Sequence, residues 1–250
     1  MPLLEVDGLC KSYAAIRAVQ GVSFKLEKGE ILGIIGPNGS GKTTLFNMIL
    51  GQLRPDAGRV QFSGRDITGA TPLSVAKAGI GRTFQSLQVF GSLTARENLI
   101  AAAQEGHGSR ISRLFGPTDA GRAAQAQAFI DRFRLQHVAG LKAGTLSYGQ
   151  QKLIDLAMAF VSEPGLVMLD EPAAGVNPTL VEEIRQMLAA QNTERGTTFV
   201  VIEHNMDFVM RLCHRVIVMA EGLVIAAGKP ADVQNDPQVI SAYLGEEVTR

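Results

Sequence analysis

The stretch from Gly36 to Thr44 constrains the fold of this chain more than any other part of its sequence. It reads Gly-Pro-Asn-Gly-Ser-Gly-Lys-Thr-Thr and fits the phosphate-binding pattern G-x-x-x-x-G-K-[ST]. An apolar run over Glu30–Ile35 enters it, and a helical pattern from Thr44 to Leu50 leaves it. A chance Gly-rich turn would lack this strand–loop–helix setting. The sequence therefore predicts a site for a nucleotide phosphate.

Each residue type in this loop has a physical role in holding phosphate. Glycines let backbone N–H groups point at an anion, and the positive end of the following helix faces it. The ammonium group of Lys42 would reach the β- and γ-phosphates, and the Thr43 hydroxyl would be offered to Mg²⁺. The predicted nucleotide-binding residues of the loop are Gly36, Asn38, Gly39, Ser40, Gly41, Lys42, Thr43 and Thr44.

Composition and charge indicate an ordinary globular chain. Of its 250 residues, 46% are hydrophobic, and 24 Lys and Arg balance 24 Asp and Glu. A neutral chain has no global basic field to recruit nucleic acid. Cys10 and Cys213 are too far apart in the sequence to suggest a metal or redox pair. We find no signal-peptide pattern and no apolar run long enough to span a bilayer, so we expect another chain to mediate any membrane association.

Strand and helix patterns predict an α/β fold with a helical insertion. The helical block begins with a capping box formed by Thr94 and Glu97. We predict a single domain over residues 1–250, with a core and β subdomain at about 1–93 and 162–250 and a helical subdomain at about 94–161. Within the helical block we expect a buried stripe on one helix, formed by Ala124, Ala128, Ile130 and Phe133.

A second candidate site lies at the end of the apolar run Leu166–Leu169, which leads into Asp170 and Glu171. At the tip of a buried strand, Asp170 would lie beside Mg²⁺. Glu171 would face the γ-phosphate and position or deprotonate water. The alternative is a surface Asp-Glu turn, which the preceding phosphate loop and apolar run disfavour.

Ser147-Tyr148-Gly149-Gln150 precedes another predicted helix and allows two interpretations. Ser147 either caps that helix or forms, with the Gly149 backbone, a second anion site at the helix N-terminus. A second anion site has no obvious use within one nucleotide site. Across a dimer, it would bind the γ-phosphate of the partner's nucleotide.

Taken in chain order, these segments resemble the nucleotide-binding subunit of an ABC transporter. The resemblance covers essentially the whole chain, and its most specific element is Leu-Ser-Tyr-Gly-Gln at 146–150. It implies an ATPase with a P-loop NTPase α/β core of mainly parallel sheet, an antiparallel β subdomain and a helical subdomain. The residues that carry it are Tyr13, Gly36–Thr43, Gln85, Leu146–Gln150, Leu166–Glu171, Gly175–Asn177 and His204.

The resemblance also implies individual roles. Tyr13 would stack on adenine, and Glu171 would be the catalytic glutamate. Gln85 would reach Mg²⁺ and the attacking water, and His204 would contact the γ-phosphate. ATP and Mg²⁺ are the implied cofactors, with Thr43, Gln85 and Asp170 around the metal ion, partly through water. The residues implied to bind the partner's ATP are Ser147, Tyr148, Gly149 and Gln150.

Several segments narrow the resemblance to the branched-chain (hydrophobic) amino-acid uptake group, and to the first of its two ATPases. They are Arg82–Gln85, Leu93-Thr94 with Glu97–Leu99, Leu146–Gln151, Asp170–Gly175 and the tail, with Asp236-Pro237 and Val239–Gly245. In the segment Leu146–Gln150, the family signature, Tyr148 stands where most ABC proteins have a glycine, and this substitution is usual in the group. Met158, Asn205 and His214 depart from the pattern of the group.

Membership of this group implies that ATP hydrolysis powers solute uptake in company with other chains. The implied partners are a second ATPase subunit in a hetero- or homodimer, two transmembrane permeases and, indirectly, a periplasmic or extracellular solute-binding protein, with no nucleic acid. The implied location is peripheral, at the cytoplasmic face of the inner (plasma) membrane. A transporter for another solute, such as urea or a lipid, and a soluble non-transport ABC ATPase remain the alternatives.

Overall fold

The computed structural model describes residues 1–83, 87–103 and 119–247. In chain order its strands are Leu4–Tyr13 (β1), Ile16–Leu26 (β2), Ile31–Ile35 (β3), Ala57–Phe62 (β4), Arg65–Asp66 (β5), Ile80–Arg82 (β6), Leu166–Asp170 (β7), Thr198–Ile202 (β8), Arg215–Ala220 (β9) and Leu223–Gly228 (β10). Its α-helices are Lys42–Ile49 (α1), Pro72–Ala78 (α2), Ala95–Ala103 (α3), Asp119–Arg132 (α4), Tyr148–Phe160 (α5), Pro178–Arg195 (α6), Met206–Leu212 (α7), Pro230–Gln234 (α8) and Pro237–Glu247 (α9). The chain divides into a first unit, residues 1–75 and 191–250, and a second unit, residues 76–190.

The first unit contains parallel strands that are buried on both faces. β3 lies parallel to β8 and to β9, and β10 runs antiparallel to β9. Every residue of β3 and β8 is buried, as expected for parallel strands that are covered on both sides. Ile34 pairs with Ile202 in the parallel register, so the residues that follow β3 and β8 emerge at the same edge of the sheet.

An antiparallel sheet, with strand order β2-β1-β4-β5, also belongs to the first unit. In β2 the buried side chains Val22, Phe24 and Leu26 alternate with exposed ones, which is the pattern of a sheet with one covered face. β1 and β2 form a hairpin in which Tyr13 pairs with Ile16. The predicted combination of parallel strands, an antiparallel sheet and helices is confirmed.

The second unit contains the parallel pair β6 and β7 and the helices α3, α4 and α5. The buried face of α4 continues beyond the helix and is formed by Ala126, Phe129, Ile130 and Phe133. The rings of Phe133 and Phe160 lie with their centroids 5.6 Å apart. Ala124 is exposed and Ala128 is only partly buried, so the predicted stripe is right at Ile130 and Phe133 and wrong at Ala124. The aromatic rings set the buried face because they remove far more apolar area from water than alanine does.

The predicted capping box at the start of α3 is confirmed. Thr94 Oγ1 accepts a hydrogen bond from the Glu97 backbone N–H at 3.1 Å, and the Glu97 carboxylate accepts one from the Thr94 backbone N–H at 2.7 Å. Hydrogen bonds from Thr94 lower the pKa of the Glu97 carboxyl, with a smaller contribution from the charge of Lys142. The charged form of Glu97 therefore supports the cap.

One turn further along α3, the fully buried Asn98 side chain holds the loop before the helix. Its oxygen accepts a hydrogen bond from the Phe90 N–H at 2.8 Å. Its amide group donates to the carbonyl oxygens of Phe90 and Thr94 at 3.1 and 2.9 Å. The Phe90 side chain is nevertheless 55% exposed, so this loop has a fixed backbone and an open aromatic ring.

Among the residues that the structure describes, no helix is both long enough and apolar enough to cross a membrane. The subdomain boundaries predicted near residues 94 and 161 stay a prediction.

Candidate functional site

The phosphate loop joins β3 to α1, and two of its glycines have no room for a side chain. Gly36 has φ +146°, and a Cβ there would lie 2.0 Å from the carbonyl oxygen of Met219. Gly41 has φ +97°, and a Cβ there would lie 2.1 Å from the carbonyl oxygen of Ala18. Both neighbours are main-chain atoms, which cannot move aside cheaply. Only glycine therefore fits these two positions.

The Lys42 ammonium group lies inside this loop. Its Nζ donates hydrogen bonds to the carbonyl oxygens of Gly36 and Pro37, both at 2.8 Å, and to Ser40 Oγ at 3.2 Å. The residue is only 5% exposed, so these acceptors stabilise its positive charge in place of water. A cation is thus fixed at the loop where the sequence predicted a phosphate.

The N-terminus of α1 follows directly. Gly41 is its N-cap residue, and no side chain in the described part of the chain caps the helix. The first backbone N–H groups of a helix have no partner within it, and they carry the positive end of its dipole. Asn38 and Thr43 are exposed, whereas Ser40 is buried. The loop and the start of α1 therefore provide the donors of an anion site.

Tyr13 and His204 lie in the same unit as the phosphate loop. Tyr13 ends β1, with its side chain half exposed, on the hairpin that brings Ala18 against Gly41. His204 follows β8 and therefore emerges at the same sheet edge as Gly36, which follows β3. The structure thus brings His204 and the loop to one edge.

A residue that sequence reasoning did not single out precedes this histidine. Glu203 is 3% exposed, and its carboxylate accepts hydrogen bonds from the backbone N–H groups of His204 and Asn205 at 3.0 and 3.3 Å. A buried carboxylate with two backbone donors fixes the turn that presents His204. An acidic residue directly after an apolar strand is the signal that could have identified it.

In the second unit, Asp170 ends β7, and Glu171 follows it. The Asp170 backbone N–H donates to Thr83 Oγ1 at 3.1 Å, and the Thr83 N–H donates to the Met168 carbonyl oxygen at 3.0 Å. Through these two hydrogen bonds, Thr83, which is 4% exposed, connects the ends of β6 and β7. Glu171 has φ +48°, a left-handed conformation that is unfavourable for a residue with a Cβ.

The signature segment, Ser147–Gln150, lies at the start of α5 in this second unit. Ser147 Oγ accepts a hydrogen bond from the Gln150 N–H at 3.3 Å, and Gln150 Oε1 accepts one from the Ser147 N–H at 3.0 Å. The structure therefore contains the helix cap that the sequence allowed. Ser147 is exposed, and a hydroxyl oxygen that accepts one N–H still has a proton to donate. The cap is therefore compatible with a second anion site.

The predicted metal ligands are of types that suit Mg²⁺. Thr43 supplies a hydroxyl and Asp170 a carboxylate, and oxygen ligands are those that Mg²⁺ prefers. Gln85, the third of them, lies outside the described residues, so its role stays a prediction. Within the described ranges, no three His, Cys, Asp or Glu residues cluster as a further metal site.

Comparisons with known proteins agree with this geometry. The family model described as ABC transporter matches residues 19–174, and the one described as branched-chain amino acid ATP-binding cassette transporter matches residues 224–249. The chain is 36% identical to the high-affinity branched-chain amino acid transport ATP-binding protein BraF of Pseudomonas aeruginosa, with 98% of each chain covered.

Two solved structures share the fold. The ATP-binding cassette MJ1267 in its ADP conformation is 36% identical, with a TM-score of 0.88 and 98% of this chain and 99% of that chain covered. The dimeric bacterial ABC transporter cassette MJ0796 is 27% identical, with a TM-score of 0.79 and 91% of this chain and 98% of that chain covered. The resemblance inferred from the motifs is confirmed. The chain belongs to the ABC transporter family, as one of its nucleotide-binding ATPases.

Proposed function

We propose that this chain is the ATP-hydrolysing subunit of a membrane importer for branched-chain or other hydrophobic amino acids. The observation that carries the ATPase part is the Lys42 ammonium group, held within the phosphate loop at the start of α1. The solute class is supported by the name of BraF and by the family model that matches the C-terminal segment.

Binding of the phosphates and of adenine would use the first unit. The phosphate loop and the first N–H groups of α1 donate to the phosphates, and Lys42 supplies a positive charge to the β- and γ-phosphates. Tyr13 stacks on adenine. Thr43, Gln85 and Asp170 would hold Mg²⁺, partly through water, and the ion would supply positive charge at the phosphates.

Hydrolysis would use Glu171 as the general base. Its carboxylate accepts a proton from the water that attacks the γ-phosphate, and Gln85 orients that water. His204 donates a hydrogen bond to the γ-phosphate from the edge where β3 and β8 end. Negative charge developing on the transferred phosphoryl group is then stabilised by Lys42 and by the helix N-terminus.

We further propose that two ATPase chains, identical or different, share each ATP. The exposed segment Ser147–Gln150 of one chain would face the γ-phosphate bound by the other chain's loop. The dimeric MJ0796 cassette is a precedent within the family. The chain would work at the cytoplasmic face of the inner membrane with two permeases and, indirectly, a solute-binding protein outside the cytoplasm. The loop around Phe90 and Leu93 would meet the permeases.

The catalytic proposal is tested with Glu171→Gln, which keeps the shape of the side chain and removes its basicity. Steady-state ATP turnover should fall by at least about 100-fold, because general-base catalysis contributes about that much. ATP binding, measured by equilibrium titration, should persist. The matched control is Glu194→Gln at an exposed position in α6, which should leave turnover unchanged. Full turnover in Glu171→Gln would remove Glu171 from the catalytic role.

The solute class is tested on the complex with its permeases. With the solute-binding protein added, leucine, isoleucine or valine should stimulate ATP turnover of the reconstituted transporter. Stimulation by urea alone, or by lipid alone, would replace the amino-acid assignment with the corresponding alternative.

A further inference from the structure

The first turns of α5 pack against the segment that follows Glu171. A Cβ built on Gly175 would lie 3.1 Å from Cε1 of Tyr148, so that ring covers the glycine. A Cβ built on Gly149 would lie 2.6 Å from Cδ2 of Leu180. The helix that carries the signature thus contacts residues 175–180 at two points, and a larger residue at either glycine would require the Leu180 or Tyr148 side chain to shift.

A third contact reaches Glu171 itself. Lys152 lies on the second turn of α5 and is 1% exposed, and its Nζ donates a hydrogen bond to the Glu171 backbone carbonyl oxygen at 3.1 Å. Burying an ammonium group costs free energy unless its N–H groups find acceptors, so this hydrogen bond stabilises the buried position of Lys152. Asp155, 4% exposed and one turn further on, is near enough to interact with this charge: burial raises the pKa of its carboxyl, and the Lys152 ammonium group opposes that rise.

The Lys152 contact falls on the residue with the least favourable backbone conformation at this site. Glu171 has φ +48°, and a non-glycine residue keeps that conformation only when its surroundings impose it. Rotation of the Glu171 backbone to an ordinary conformation would swing its carbonyl group away from Nζ. The side chain of Glu171 would swing with it, because rotation about φ, the N–Cα bond, turns the carbonyl group and the side chain together.

We propose that Lys152 is a positioning residue for Glu171, acting through the backbone carbonyl of that residue. The proposal rests on the proposed roles of Glu171 and Ser147. Ser147, which is proposed to bind the partner's ATP, and Lys152, which positions the carboxylate of the chain's own site, then both belong to α5. Binding of the partner's ATP at Ser147 would therefore change the position of Glu171 through this helix.

The test replaces Lys152 by Met, which has a similar length and no N–H donor. The kcat for ATP should fall by about 10- to 100-fold, the range expected when a catalytic group is misplaced by up to about 1 Å. The dissociation constant for a non-hydrolysable ATP analogue should change by less than about twofold, because the phosphate loop is untouched. Lys152→Arg, which keeps a cationic donor, should recover part of the loss. Lys77→Met, at an exposed lysine of the same unit, is the matched control and should have wild-type kcat.

Loss of the buried cation also leaves Asp155 without its neighbouring charge. The double variant Lys152→Met/Asp155→Asn removes both charges and should keep the low kcat with recovered thermal stability. Recovery of kcat together with stability would show that Lys152 acts only on folding and would overturn the proposal. This double variant also decides the question if Lys152→Met alone does not fold.

A double-mutant cycle with Glu171→Gln separates positioning from a general effect. If Lys152 acts through Glu171, adding Lys152→Met to Glu171→Gln should lower single-turnover hydrolysis by less than about threefold further. Multiplicative losses would contradict the proposal. So would a wild-type kcat for Lys152→Met while Glu171→Gln is inactive, and that result would leave the role of Glu171 intact. A fully active Glu171→Gln would instead refute the proposed function itself.

Discussion

The phosphate loop in the first unit and the Glu171 turn in the second unit are both unusual backbones, but they are held in different ways. In the loop, left-handed conformations fall on glycines, main-chain oxygens of Met219 and Ala18 lie where a Cβ would be, and the lysine that contacts the loop's carbonyl oxygens, Lys42, belongs to the loop itself. At Glu171 the left-handed conformation falls on a residue with a Cβ, and the side chain of Lys152 contacts its carbonyl oxygen.

The difference indicates how each region responds to change. A backbone confined by other backbone has no adjustable part, so its shape is almost independent of distant side chains. A backbone held by a side chain depends on that side chain and on the helix that carries it. The loop is therefore suited to a constant task, phosphate binding, and the Glu171 turn to a task that another element can influence.

The largest effect is expected at Gly41. Gly41→Ala places a Cβ 2.1 Å from the Ala18 carbonyl oxygen in a left-handed conformation, so the free energy of unfolding should fall by about 3 kcal/mol or more, with loss of ATP binding. Denaturant unfolding and nucleotide titration measure these two effects. Gly64→Ala is the control, since Gly64 has φ +75° and nothing within 4 Å of an added Cβ, and it should cost only about 1–2 kcal/mol. Equal losses at the two glycines would mean that the backbone contact is unimportant.

A smaller effect is expected at position 171 and would sharpen the contrast. Glu171→Gly should be more stable to denaturant than Glu171→Ala by about 1 kcal/mol, because a left-handed residue with a Cβ is strained and glycine is not. In the interior of α6 the order should reverse, with Gln186→Ala more stable than Gln186→Gly by about 1 kcal/mol. The same order at both positions would show that the Glu171 backbone is not strained in solution.

An effect on stability of similar size distinguishes two similar helix caps in the second unit. Ser147→Ala and Thr94→Ala each remove a capping box and should each cost about 1 kcal/mol in unfolding experiments. Only Ser147→Ala should also lower ATP turnover, because only Ser147 is proposed to meet the partner's nucleotide. Equal turnover in the two variants would leave Ser147 as a cap alone.

Most of the fold and the residues of the phosphate loop were predictable because they depend on local patterns. A strand, a glycine-rich loop and a helix follow each other in the sequence, and the capping box of Thr94 and Glu97 spans only four residues. The burial of Ala124 was predicted wrongly because alanine fits either face of a helix and the rings of Phe129 and Phe133 decided the face.

The contacts of Lys152 and Asn98 could not be predicted, because their partners lie far along the chain or on main-chain atoms. Lys152 donates to a carbonyl group 19 positions away, and carbonyl groups leave no trace in a sequence. The left-handed conformation of Glu171 is similarly hidden, since glutamate gives no sign of it. Such features follow from packing rather than from residue type.

The Asn98 amide group has a consequence for how the chain meets another protein. A loop that must order itself on docking gives up conformational entropy at that moment, which weakens binding. The hydrogen bonds of Asn98 to the backbone of Phe90 order this loop during folding instead. The exposed ring of Phe90 therefore needs no further ordering of its own backbone before it contacts a partner, such as the permease proposed above.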